Sequence, residues 1–187
     1  MLNKTISDLE VQSSNKPELD LGSPYPAVID LIVNLGEQHG TKFGTDEATI
    51  TQQLWIGFAF PTEMYDIEVD GEEKSVCVQL GRRVNVTTGD RAALTKIHKA
   101  VCKPSAPLDD MAGKPCTVVL APGKGKNPNI DTVSGPMKGT AVKLATDHEV
   151  VVVDEDGWDN IDDFPIPDFI KDIVKKRVGG PLDSKGI

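Results

Sequence analysis

"KSVCVQLGRRVNVTTGDRAALTKIHKAVCK", residues 74–103, decides the fold, because its hydrophobic period changes once along its length. The first half alternates as a strand does, and its apolar side carries Val76, Val78, Leu80, Val84 and Val86. The second half has apolar residues three and four apart between Ala93 and Val101, which predicts an amphipathic helix. The chain therefore passes from a strand into a helix across one short loop.

Similar alternation predicts two strands before this stretch and two after it, at 27–35, 49–60, 114–121 and 129–135. Three strands, a helix and two strands is the element order of an OB-fold. We therefore expect a mostly β protein built on an OB-fold-like, five-stranded antiparallel barrel, with one helix between its third and fourth strands. A generic small antiparallel barrel or an α+β sandwich stays open at this point.

The same patterns predict three parts along the chain. A flexible N-terminal arm is expected at 1–23, where the sequence is polar and lacks periodicity. The OB-fold domain is expected at 24–145, and an acidic tail at 146–187. Within that tail, apolar residues at helical spacing predict a short amphipathic helix over 167–178.

Length and composition are those of one globular domain with appendages. The 187 residues are 39% hydrophobic and 26% charged. No apolar run is long enough to cross a bilayer, and the first ten residues have no signal-peptide core. The three cysteines, Cys77, Cys102 and Cys116, are predicted to be reduced core thiols. Together these features predict a cytoplasmic protein, in the host-cell cytoplasm if the protein is viral.

Charge is distributed unevenly along the chain, although the net charge is −9. Residues 1–73 hold 3 bases and 14 acids, residues 74–145 hold 12 bases and 4 acids, and residues 146–187 hold 5 bases and 11 acids. The middle segment is thus at +8, between segments at −11 and −6. A basic middle between acidic flanks favours one face that binds a polyanion, although charged faces of a sheet can also segregate without function.

No catalytic or cofactor motif is present in the sequence. His39, His98 and His148 are far apart and lie in no HExxH or Cys/His pattern, which argues against zinc. "GKGKNP" at 123–128 lacks the spacing of a phosphate-binding loop, and no GxSxG occurs. The cysteines lie among apolar residues rather than beside a base. We therefore predict a protein that is not an enzyme and needs no cofactor or metal.

Binding of single-stranded nucleic acid requires aromatic faces beside a basic groove. Trp55 fits, because it lies opposite Leu54, Ile56 and Phe58 and its same-face neighbours Gly57 and Ala59 leave its ring uncovered. The other candidates are Phe43 and Lys42 in the first loop, Arg82 and Arg83 on the third strand, and Lys124 and Lys126 in the loop between strands four and five. Alternatively, Trp55 packs under a loop or the tail, and the basic residues are ordinary solvated charges.

Arg82 falls on the apolar side of its strand, directly after Gly81. A glycine inside a strand often marks a bulge, so a bulge or bend is expected there. Such a position also makes Arg82 the weakest of the basic candidates.

The tail carries nine acids between Asp147 and Asp168, with no Lys or Arg. Such a run repels itself and is predicted to be extended around 154–163. It can occupy the basic groove when DNA is absent, and it can bind a partner protein through Trp158, Asp162, Asp163, Phe164 and Ile166. Alternatively, the helix docks on its own barrel and the acids form a solvated linker.

Five segments occur in an order that resembles bacteriophage single-stranded DNA-binding proteins. They are "PYPAVIDLIVNLGEQ", "LWIGFAFPTE", "RRVNVTTGDRAALTKIHKAV", "MAGKPCTVVL" and, after a late acidic stretch, "FPIPDFIKDIVKKRV". The resemblance covers roughly residues 24–178, and the sequence departs from the family in "KGTAVKLATDHEVVVV" at 138–153. It implies an OB-fold and a role beside phage replication and recombination proteins.

Two functions from different classes follow. The first is a phage-type protein that coats single-stranded DNA during replication or recombination and recruits replication or recombination proteins through its acidic tail. The second is a non-enzymatic protein–protein module, either a virion structural protein or an acidic DNA-mimic inhibitor. Neither requires a membrane, and a homo-oligomer stays open.

Overall fold

The computed structural model describes residues 16–42, 44–123, 128–140 and 142–184. Six strands occur in these ranges: β1 Pro24–Thr41, β2 Ala48–Val69, β3 Glu72–Asn85, β4 Pro115–Ala121, β5 Asn129–Ser134 and β6 Val151–Val153. Two α-helices accompany them: α1 Ala93–Val101, between β3 and β4, and α2 Asp168–Lys175, after β6. Short 3-10 turns lie at 109–111, 155–157 and 161–163.

One sheet holds all six strands in the described ranges. Its order is β3-β2-β1-β4-β5, with antiparallel neighbours throughout. β1 is long enough to pair twice along its second edge: residues 24–28 pair with β4, and residues 31–33 pair in parallel with β6. Among the described residues no ladder joins β3 to β5, so the sheet is unclosed.

The inner face of the sheet and α1 enclose the larger hydrophobic cluster. Its fully buried side chains include Phe58 and Phe60 of β2, and α1 adds Leu94 and Ile97. Burying each side chain of this size contributes about 1.5–3 kcal/mol before the loss of conformational entropy is subtracted. The alternation that predicted these strands therefore comes from the inward side chains of one core.

The outer face of β1 and β2 carries a second hydrophobic cluster. Val33 and Leu35 of β1 pack there against residues that follow β5 in the chain: Val151, Val153, Ile161, Ile166, Ile170 and Val174. The segment after Val153 is therefore folded onto the sheet, and the extended tail predicted around 154–163 is wrong. Burial of the isoleucines and valines set among the acids holds the segment to the sheet despite its charge.

The protein is mostly β, as expected, and most of the predicted elements are present. The strand at 74–86 and the helix at 93–101 correspond to β3 and α1. The bulge expected at Gly81 is wrong, because the β2–β3 ladder passes Gly81 and Arg82 in register. The register shift of this ladder lies instead between Phe60 and Met64.

In the described ranges, no helix has the length and apolar character needed to cross a membrane.

Candidate nucleic-acid interface

Trp55 lies on the outer face of β2, paired with Arg83 of β3 on one side and Val33 of β1 on the other. The predicted facing is correct, because Leu54, Ile56 and Phe58 all belong to the inner cluster. The indole ring lies across Gly81, where an added Cβ atom would come within 2.3 Å of it. Glycine at position 81 therefore allows close approach of a ring, and this is its role in place of the expected bulge.

The ring of Trp55 is partly covered. Phe169 of α2 meets it edge to face, with ring centroids 5.2 Å apart and an interplanar angle of 75°. The prediction of an uncovered ring is wrong because α2 docks on this face, so the alternative of packing under the tail describes the structure. Phe169 itself remains 51% exposed, so the aromatic contact lies at the rim of the second cluster.

Arg83 is an exposed cation beside Trp55, partly desolvated by its neighbours. Its Nε donates to the side-chain carbonyl of Gln53, and Nη2 lies 3.4 Å from the side-chain oxygen of Gln38. Burial lowers the pKa of the guanidinium, but arginine still stays charged at neutral pH. Amide oxygens do not neutralise it, and no carboxylate of the described residues forms an ion pair with it. The positive charge is therefore available to an anion.

Arg82, the next residue, has a structural role. Its Nη1 donates to the backbone carbonyls of Ile130 and Asp131 in β5, at 3.2 Å each. These bonds link the two sheet edges that no backbone ladder joins. The side chains of Arg82 and Arg83 thus lie on opposite faces of the sheet, as the alternation of a strand requires.

The loop candidates are only partly described. Lys42 donates to Glu47 across 3.4 Å, and both side chains are exposed. Phe43, Lys124 and Lys126 lie outside the described residues. Of the seven predicted binding residues, the structure therefore brings Trp55 and Arg83 side by side, and it places Lys42 near the far end of β1.

Trp158 anchors the start of the tail. Its Nε1 donates to the backbone carbonyl of Asn34 at 2.7 Å, and the Arg177 guanidinium lies 4.3 Å from the centroid of its ring. The side chain of Asn34 donates to Asp154 at 3.0 Å. That hydrogen bond, with a second one from the Glu155 amide, lowers the pKa of Asp154. Asn34 thus ties the acidic segment to β1.

The other four predicted partner residues fall into two groups: the apolar ones pack against the sheet and the acidic ones are exposed. Ile166 is buried in the second cluster, and Phe164 packs against it. Asp163 is exposed, while exposed Asp162 accepts from Lys175 of α2 at 2.6 Å. In this folded state the tail therefore presents acids outwards and keeps its apolar anchors against the sheet.

The sequence did not predict two contacts, that of Phe169 with Trp55 and that of Cys77 with His148. Helical spacing identified Phe169 as part of a helix, but nothing in the sequence indicated that it would meet Trp55. Cys77 was assigned to apolar surroundings, and this is wrong: its sulfur lies 3.8 Å from Nδ1 of His148. The signal was present in the strand, because Cys77 alternates with Val76 and Val78 and so faces outwards.

No group of three or more His, Cys, Asp and Glu side chains is arranged to hold a metal ion in the described part of the chain. Comparisons with family models, with curated proteins and with solved structures find no match to this chain.

Proposed function

We propose that the chain binds single-stranded DNA, without catalysis, on the outer face of β2 and β3. The observation that carries this proposal is the pairing of Trp55 with Arg83 at one register position of two neighbouring strands. Strands in a sheet lie about 4.8 Å apart, so a base on the ring and its phosphate can be contacted together. Stacking on an aromatic ring beside a cation binds single strands with little sequence preference.

The finer architecture that we propose is an OB-fold barrel. The strand order, the position of α1 between β3 and β4, and the bonds from Arg82 to β5 support it. OB-folds bind oligonucleotides on the face of strands two and three, between the loops that follow strands one and four. In this chain those loops carry Lys42, Phe43, Lys124 and Lys126, which complete the proposed interface.

The acidic tail is proposed to compete with DNA for this face. Phe169 already contacts Trp55, and the segment before it carries exposed acids at Asp156, Asp159 and Asp163. Displacement by DNA would release Trp158, Phe164 and Ile166 from the second cluster. Those apolar residues, with the neighbouring acids, then become a binding site for replication or recombination proteins.

A protein–protein module, either a virion structural protein or an acidic DNA mimic, is the second candidate. The observation that favours it is the folded tail, which covers the candidate face in a chain whose net charge is −9. Such a protein would keep the tail docked and would repel DNA through its acidic surface.

Fluorescence anisotropy with labelled oligo(dT) separates the two candidates. The full chain should bind saturably at low salt and more weakly at moderate salt, since phosphate contacts release counterions. Similar affinity for mixed-sequence oligonucleotides is expected, because stacking tolerates any base. Absence of binding at low salt contradicts the first candidate and leaves the protein–protein module.

Competition by the tail is tested with matched charge variants. Asp156→Asn, Asp159→Asn and Asp163→Asn together remove three exposed acids from the tail. Glu68→Gln, Glu72→Gln and Glu73→Gln together remove three exposed acids at the β2–β3 turn and change the net charge equally. Tighter binding by the tail variant alone supports competition. Equal tightening of both variants would attribute the effect to net charge and contradict the competition.

A further inference from the structure

Four polar side chains from three segments meet on the outer face of the sheet, and two of them line a small cavity together with Trp55. They are Asp30 of β1, Cys77 and Gln79 of β3, and His148 of the segment before β6. Asp30 is only 3% exposed and accepts hydrogen bonds from Gln79 and from His148. Burial of a carboxylate with these donors fixes the orientation of the histidine ring.

The ring orientation places a base beside the thiol. Nε2 of His148 lies 2.9 Å from a carboxylate oxygen of Asp30, so the Nε2–H group donates its hydrogen bond to the carboxylate. Nδ1 is then the unprotonated nitrogen, and it lies 3.8 Å from the sulfur of Cys77. Thiol, imidazole and carboxylate thus follow one another as nucleophile, base and orienting group do in nucleophilic sites.

A cavity of about 650 Å³ opens beside this cluster. Cys77 and His148 form part of its wall, and Met64 and Tyr65 supply apolar surface. Two lysines and two acids also line it: Lys74 pairs with Asp147 at 3.9 Å, whereas Lys143 forms no ion pair with a described residue. A small molecule that enters the cavity can therefore reach the sulfur while an anionic group contacts Lys143. Cys116, in contrast, is buried in the inner cluster and does not line this cavity.

We propose that Cys77 is a thiol–disulfide exchange site for small anionic disulfides, with His148 as the base and Asp30 as its positioning residue. The inference goes beyond nucleic-acid binding and does not depend on it. Exchange at a disulfide needs a thiolate, a place for the proton and room for the leaving sulfur, and it needs no oxyanion-binding site.

Cys77, His148 and the incoming disulfide together account for every bond and proton in the exchange. Cys77 transfers its proton to Nδ1 of His148 as its sulfur attacks one sulfur of the disulfide RSSR. The Cys77–S–SR bond forms, the original S–S bond breaks, and the leaving thiolate takes the proton to become RSH. Burial, and next the charge of Asp30, raise the pKa of the Cys77 thiol, so a thiolate does not form at rest and the base is required.

The first test measures the rate at which oxidised glutathione modifies each cysteine of the full chain, by mass spectrometry of peptides. Cys102 is the internal reference, since it is also partly exposed and its sulfur bonds to no described residue. Cys77 should react at least tenfold faster than Cys102, and His148→Gln should remove that advantage while leaving the Cys102 rate unchanged. Equal rates in the unchanged protein would overturn the proposal.

A second test holds even if His148→Gln impairs folding. Lys143→Gln should slow the reaction of Cys77 with oxidised glutathione but not with the neutral 2-hydroxyethyl disulfide. Lys143 is exposed and forms no ion pair with a described residue, so the fold tolerates the change. Equal slowing of both disulfides, or of neither, contradicts a cavity that selects anionic disulfides. Loss of oligo(dT) binding has no bearing on either result.

Discussion

The ring of Phe169 meets the ring of Trp55 edge to face, with 5.2 Å between centroids, and thereby joins α2 to the face proposed to bind DNA. Ile170 and Val174, in the same helix, are fully buried, whereas Phe169 is half exposed. The helix is therefore held by its aliphatic residues, and the aromatic contact can open without unfolding it.

Phe169→Ala should expose Trp55 and tighten binding to oligo(dT). An aromatic pair contributes about 0.5–1.5 kcal/mol beyond buried area, so binding should strengthen about two- to tenfold. In a Trp158→Phe background, Trp55 is the single tryptophan, and its emission, excited at wavelengths that tyrosine does not absorb, should shift to the red. Quenching of that emission during an oligo(dT) titration reports stacking directly.

Leu182→Ala is the matched control for this prediction, since Leu182 is 50% exposed, lies in the same terminal region and makes no ring contact. It should change neither emission nor affinity. Unchanged oligo(dT) affinity in Phe169→Ala, despite the red shift, would mean that DNA does not use this ring.

Arg83→Gln and Arg82→Gln should separate binding from stability. Loss of Arg83 should lower the slope of log affinity against log salt by about 0.7, the value for one phosphate contact on a single strand. Arg82→Gln should leave the slope unchanged and lower the free energy of unfolding by about 1–3 kcal/mol, because its two bonds to β5 are lost. Lys96→Gln, on α1, is the control for charge alone. A slope change in Arg82→Gln but not in Arg83→Gln would reverse the assignment.

The inner side of the fold was predictable from sequence because it depends on local periodicity. Val76, Val78 and Leu80 alternate, and Leu94 and Ile97 are three apart, so each segment carries its own signal. The sequence did not predict β6 for the same reason: it belongs to a run of four valines, residues 150–153, which holds no alternation that distinguishes a strand. Its pairing with β1 depends on the second cluster, which forms only when distant segments meet.

The candidate site was predictable only where a strand fixed a side chain's direction. Trp55 and Arg83 faced outwards as alternation requires, but the coverage of Trp55 comes from α2, more than a hundred residues away. The charge of the acidic segment predicted an extended chain, because its acids repel one another. Burial of Ile161 and Ile166 outweighs the repulsion between exposed acids, since charges that remain in water repel only weakly.

Gly81→Ala should destabilise the fold and displace Trp55. The added Cβ atom would lie within 2.3 Å of the indole ring, so the ring must move or the strands must separate. We expect a loss of about 1–3 kcal/mol in the free energy of unfolding, measured by denaturant titration. Gly89→Ala is the control, since nothing lies within 4 Å of its Cβ position. Equal stability of the two variants would exclude the close packing of Trp55 on Gly81.

Asp154→Asn should lower the melting temperature at pH 7 and have less effect in acid. Hydrogen bonds from Asn34, and next from the Glu155 amide, hold the pKa of Asp154 below 3.8, so the charged form stabilises the fold above that pH. This stabilisation is lost as the pH falls through the lowered pKa, so the two melting temperatures should converge once the pH is below it. Asp159→Asn, in the same segment, should show no such convergence. A difference that stays constant from pH 7 to the acid range would mean that the Asn34–Asp154 bond does not depend on the charge.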